Sequence, residues 1–352
     1  MNKPNSILVF RLLAVLFALL FTFFVLILAG APPLSALWNI ILGAFGTTSK
    51  IADITVTWVP LILVTSGLLI TFTSGLWNIG IEGQITIGAI FATGMMRLLI
   101  DAGIQPGITI FLTILSGMIG GAIWASLAGL LKTFGGVNEI FGGLGLNFVA
   151  NALTIYFIFG PWKRPGTGSM SGTEPFPDQY WMPQIPGLRL SIISVLIAII
   201  GIIIVYILLK NTYFGLRLKA IGKNRRASDI LGIPTAKYLM LSFFLCGLFA
   251  GIAGAMQVVA VYHRLIPSIS SGYGYLGLLV AMLTNYQALW TVPVAFFFAA
   301  LNIGSIRLPI ILKLDSTLSG ILQGSLVLFV IIFEGLRKKV TKNPRELEEE
   351  NE

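Results

Sequence analysis

The sequence predicts an all-α fold: a polytopic membrane bundle of about ten spans, with both termini cytoplasmic. Three observations carry this. Of 352 residues, 56% are hydrophobic and 11% charged, where a soluble domain carries roughly 25% charged residues. The mean hydropathy is +0.91, and the apolar residues come in runs near the length of about 20 that a bilayer requires. The net charge of +9 gathers between those runs, as membrane orientation demands, rather than in a patch for nucleic acid.

Composition also excludes chemistry. The chain has one cysteine, Cys246, and one histidine, His263, and its sequence shows no His/Cys/carboxylate cluster for a metal and no Ser/His/Asp set. The phosphate-cradling pattern G-x-x-x-x-G-K-[ST] is absent, so this chain holds no ATP by that motif. The reading is of a non-enzyme without catalytic or metal residues.

The runs can be taken in order. Residues 8–29 form an apolar run with Lys3 before it and Arg11 near its start. It is longer than the core of a secretory signal and is read as an uncleaved first span. Within 31–53, the apolar patch 37–45 is too short to cross and is expected at the interface or re-entering. Residues 54–73 make the second span. The stretch 74–89 is dense in glycine and holds Trp77, Asn78, Glu82 and Gln84. It fits either a cytoplasmic hairpin or an unwound segment lining a pathway, because a carboxylate in apolar surroundings needs a cavity or a partner.

The third span is expected over 85–100, the fourth over 107–131 and the fifth over 140–160. Asn147, Asn151 and Thr154 fall on one face of the fifth. They either bond neighbouring helices or face a substrate. Residues 161–188 form the one long polar loop, with interface-type aromatics Trp162, Tyr180 and Trp181. Spans follow at 190–209 and 238–261. Segments 272–284 and 288–304 read as two tilted spans or a re-entrant pair, which would leave eight spans. The last span is expected over 315–333. The domain reading is one membrane domain, 1–340, with a charged cytoplasmic tail, 341–352. Two glycine-interrupted segments, 74–94 and 268–284, hint at related halves. With the N-terminus inside, the basic residues of the central loop and the tail fall inside as well.

That central loop, 210–237, contains a short helix with both ends written out. Asn224 can cap the start, residues 225–231 make about two turns, Gly232 suits the left-handed exit, and Pro234 prevents resumption. Ala227, Ile230 and Leu231 form one apolar face. Arg225 and Arg226 sit at the positive end of the dipole and Asp229 near the negative end. This placement does not help an isolated helix, so a partner protein is expected to set it.

The pattern G-L-R-L-K-A-I-G-x-N-x-x-A-S-x-x-L-G-I, through Gly215, Ala220, Gly222, Asn224, Ala227, Ser228, Gly232 and Ile233, resembles the coupling loop of ABC-importer permeases. The branch is the one serving ribose-type sugars, nucleosides and branched-chain amino acids. The N-x-G-x-E-G-Q run at Asn78–Gln84 resembles the same branch. G-V-N-E-I-x-x-x-L-x-L-N-F, ending at Asn147 and Phe148 and followed by Gly160-Pro161, is more similar to the nucleoside and simple-sugar permeases.

The resemblance implies a multi-pass subunit in a prokaryotic cell membrane. It implies a separate ABC ATPase subunit that carries ATP and Mg, a second permease subunit in a heterodimer, and an extracellular substrate-binding lipoprotein. The substrate would be a nucleoside, with a simple sugar as the alternative, moved by alternating access. Gly222, Asn224, Arg225, Arg226, Ala227, Ser228, Leu231, Gly232 and Ile233 would couple to the ATPase. Trp77, Asn78, Glu82, Gln84, Asn147 and Asn151 would border the pathway. The rival from another class is an ion-coupled secondary transporter with Glu82 as its coupling carboxylate.

Overall fold

A computed structural model describes residues 3–28, 30, 32–166 and 172–312, and beyond these 320, 321, 324, 325, 328, 329, 332, 333 and 336. Every regular element among the described residues is helical. Among the described residues, seven helices are long and apolar enough to cross a membrane, or eight if one sharply bent pair counts as a single span. Much of the span expected over 315–333, and all of the charged tail 341–352, lies outside the described residues.

The chain divides into two compact units. The first comprises residues 1–51 and 300–352. It contains α1 (Lys3–Leu28) and α2 (Pro33–Phe45), bent at 108° to each other. Proline is at home in the first turn of α2, where its missing N–H has no helical partner to lose. The patch at 37–45 therefore turns back as part of a 13-residue helix, too short to span. Leu26, Ala36, Ile40 and Leu308 form its core, the last from α13 (Arg307–Leu312).

The second unit, 52–299, is the larger. Helix α3 (Thr48–Thr73) is buried without interruption from Thr57 to Phe72. An all-round apolar helix belongs in the middle of a bundle. Its hydroxyls bond back to their own turns, Thr65 to the Leu61 carbonyl and Ser66 to the Ile62 carbonyl. Next come α4 (Ile81–Asp101), α5 (Pro106–Thr133), α6 (Glu139–Phe159) and α7 (Ile192–Asn211). After these follow α8 (Tyr213–Lys223), α9 (Arg225–Ile230), α10 (Thr235–Met256), α11 (Tyr273–Leu283) and α12 (Ala288–Ser305).

Helices α4, α5 and α10 pack closely through glycine. A Cβ on Gly251 would overlap the Gly117 carbonyl, and one on Gly121 the Gly247 carbonyl. Lipid offers no hydrophobic drive between helices, so such contact area is what holds them.

Helix α10 ends in a π-helical turn, Gln257–Tyr262. The polar loop straps onto this turn: the Met182 N–H donates to the Val259 carbonyl, the Phe176 N–H to His263 and the Thr173 N–H to Leu265. Trp181 stacks on His263 at 3.8 Å and 7°. Of the pair expected over 272–304, α11 has 11 residues, about 17 Å of helix, and cannot cross. The apolar stretch Ala288–Ile311 is long enough.

Candidate functional site

Two features in the larger unit hold the residues singled out by sequence. The first is the basic elbow α8–α9. The Thr212 hydroxyl accepts from the Gly215 N–H, and Asn224 Oδ1 accepts from the Ala227 N–H at 2.9 Å. At the other end Gly232 has φ +78°. Its N–H donates to Asp229 and that of Ile233 to Ser228, the paired bonds of a left-handed helix stop. Ser228 is buried and bonds back to the Asn224 carbonyl. Asp229 accepts from the Thr235 hydroxyl. The helix is one residue shorter than its sequence pattern, because Leu231 is already the C-cap.

The apolar face is uncovered. Ile230 is 81% and Leu231 79% exposed, with Ala227, Arg225 and Arg226 also exposed. Large apolar side chains thus stand free among cations at this helix end. The elbow is also tied to the bundle. A Cβ on Gly222 would overlap the Thr73 carbonyl and lie 3.2 Å from the Gly75 nitrogen. Ile221 packs with Leu76, Leu239 and Phe243. Arg217 donates to the Tyr238 hydroxyl and lies over that ring. The elbow thus meets the α3–α4 junction in close backbone contact, through Gly222 of α8.

The second feature is that junction. Helix α3 stops at Thr73, Gly75 takes φ +79°, and α4 resumes at Ile81. The unwound stretch is therefore short, about 74–80, and Glu82 and Gln84 stand in regular helix. Asn78 and Gln84 are buried and exchange amide bonds of 3.1 and 2.9 Å. Asn78 also reaches the Cys246 sulfur. Asn147 accepts from the Gly83 N–H at 2.8 Å and donates to the Ile79 carbonyl at 3.0 Å. Trp77 is partly exposed and meets Phe72 edge to face.

Glu82 is buried and accepts from the Gly272 N–H at 3.1 Å and the Gly274 N–H at 2.7 Å. These residues lie at the start of α11, so the carboxylate meets the positive end of that helix dipole. A Cβ on Gly274 would overlap the carboxylate, which explains glycine there. The two glycine-interrupted segments, 74–94 and 268–284, are thus brought together.

One expectation is corrected. Asn147 and Asn151 do not present two amides side by side: Asn147 is buried against α4, while Asn151 is exposed. Helix α6 packs along a narrow stripe, and Asn151 lies beyond it. Gly272 and Gly274, the partners of Glu82, carried no sequence signal besides glycine density. The Arg217–Tyr238 tie and the strap onto the π turn carried none.

The described residues thus form an apolar multi-pass helical bundle whose broken interior junction touches an uncovered basic elbow. The family described as branched-chain amino acid transport system / permease component matches residues 50–331, and the chain belongs to it. A glucose ABC transporter permease protein, TsgB13 of Haloferax volcanii, is 27% identical over 84% of this chain and 78% of its own length. The guanosine ABC transporter permease protein NupP of Bacillus subtilis is 27% identical over 94% of each chain. The nucleoside ABC transporter permease protein NupB of Lactococcus lactis is 26% identical over 86% of this chain and 85% of its own.

Proposed function

We propose that this permease imports nucleosides by alternating access, driven by a separate ATPase that grips the α9 elbow and supplied by an extracellular binding protein. The observation that carries the reading is the tie from exposed Ile230 and Leu231 through Gly222 to the Thr73–Ile81 junction. A subunit that does no covalent chemistry needs two conformations which a partner can favour differently. The elbow is where such a partner can act, and the junction is where the helical path from α3 to α4 is broken.

The nucleoside assignment is supported by two relatives whose names specify guanosine or nucleosides. The interior chemistry agrees with it. Asn78, Gln84 and Asn147 are neutral amides, and the Glu82 carboxylate is held by backbone N–H groups. Such a frame suits an uncharged solute and offers no free charge to an ion. The glucose permease relative favours a sugar as the second reading. Asn151, outward on an apolar helix, is best served by a second permease subunit, with the pathway between the two, because an amide facing lipid is costly.

The test is reconstitution of the permease pair with its ATPase and binding protein in proteoliposomes. Labelled guanosine should enter only with ATP inside the catalytic compartment and binding protein opposite. Uptake driven by an ion gradient without ATP would overturn the importer reading. ATP-driven uptake of glucose but not guanosine would replace the nucleoside by a sugar.

A further inference from the structure

At the end of the bundle away from the basic elbow, α7 begins beside a cleft lined by Val56, Val59, Arg189, Ser191 and Met256, among others. The cleft is small, with room at its floor for about one water-sized group. Four observations converge on it. Ser191 is the residue that starts α7, yet its hydroxyl caps nothing. That hydroxyl is buried, with the residue 1% exposed, and has no hydrogen-bond partner. The first N–H groups of this 20-residue helix have no side-chain cap, and such a terminus favours an anion. Arg189, which lines the same cleft, has no acidic partner among the described residues.

The polar side chains there, Arg189, Ser191 and Ser194, can all donate, and the remaining lining side chains are apolar. An unpaired buried hydroxyl costs about 1–3 kcal/mol, so a ligand that satisfies it is favoured. We propose that this cleft binds a phosphate group, that of an anionic phospholipid at the membrane surface. One phosphoryl oxygen would enter the narrow floor and accept from the Ser191 hydroxyl and the start of α7. The remaining oxygens would stay at the mouth, against the Arg189 guanidinium, whose planar fork matches them. Val56, Val59 and Met256 would meet the first carbons of an acyl chain. The narrow floor argues against a bulkier anion seated wholly inside.

The experiment uses the full-length permease, stripped of lipid in an uncharged detergent. Phosphatidylglycerol, diacylglycerol and inorganic phosphate are titrated separately, reading bound mass by native mass spectrometry and melting temperature. Phosphatidylglycerol should be retained and raise the melting temperature, and diacylglycerol, which lacks the phosphate, should do neither. Arg189→Gln and Ser191→Ala should each weaken retention about tenfold, with the lipid-free melting temperature unchanged in Arg189→Gln and raised in Ser191→Ala, which removes the unpaired buried hydroxyl. If Arg189→Gln fails to fold, Ser191→Ala decides alone, since it removes one buried atom. Equal stabilisation by inorganic phosphate would keep the site and assign it to the free anion. Equal retention of diacylglycerol, or unchanged retention in Ser191→Ala, would overturn the proposal.

Discussion

Removing the Glu82 carboxylate should loosen α11 from α4 and slow transport together. Glu82→Ala leaves the N–H groups of Gly272 and Gly274 without acceptors in the interior. Each orphaned donor costs about 1–3 kcal/mol, and the lost anion at a helix start up to about 2 kcal/mol more. Water entering the vacated space offsets part of this, so a loss of about 3–5 kcal/mol is expected. Glu82→Gln keeps one carbonyl acceptor but turns an amide N–H₂ toward a second donor, which places it between wild type and alanine. Melting temperature and ATP-driven uptake should be measured on the same purified preparations. The expected order in both is wild type, then glutamine, then alanine. An alanine variant of unchanged melting temperature would refute the argument that the carboxylate holds the two segments. Normal stability with loss of proton-driven, ATP-independent uptake in Glu82→Gln would instead favour the ion-coupled rival.

Other outcomes follow from the same geometry. Leu231→Asp should leave the bundle folded, because the side chain is 79% exposed, yet abolish substrate-stimulated ATP hydrolysis in the assembled transporter. Gly222→Ala should damage both folding and coupling, since its Cβ overlaps the Thr73 carbonyl, and a thermal melt compared with the hydrolysis assay reads both. Asn147→Ala should lower stability by about 2–4 kcal/mol through two lost interhelical bonds. Asn151→Ala, at an exposed site, should lower uptake rate without moving the melting temperature. Burial holds the His263 imidazole below its ordinary value of 6.5. The unfolded chain then binds the proton first, so stability is full above that pH and declines as pH falls through it. Replacing His263 by Asn should flatten a melting-temperature profile between pH 7 and pH 5.

The parts legible in the sequence are those whose causes are local. Asn224, Gly232 and Pro234 cap or stop α9 within ten residues, so its position and both ends follow from the chain itself. The cost of burying Glu82 was equally plain, because a carboxylate in apolar sequence demands a partner. The partner was not, since Gly272 lies 190 residues away and contributes only a backbone N–H. Hydropathy located α11 but left its role open, because an 11-residue helix can be read as a tilted span until its length is seen.

Asn147 and Asn151 show where periodicity runs out. Four residues at about 100° each place the two only about 40° apart around α6, and a helical wheel puts them on one face. A helix embedded on all sides would bury both, as α3 buries its run from Thr57 to Phe72. Helix α6 instead contacts its neighbours through the small Gly143 and the clamping Asn147, with Phe141 and Phe148 standing out on its open side. Rotation by 40° is then enough to carry Asn151 from contact to exposure. An exposed asparagine is unremarkable in water but costly beside hydrocarbon, where nothing satisfies its amide. The same exposure that removes Asn151 from the interior therefore argues for something polar against it, either a facing subunit or the wetted path between two.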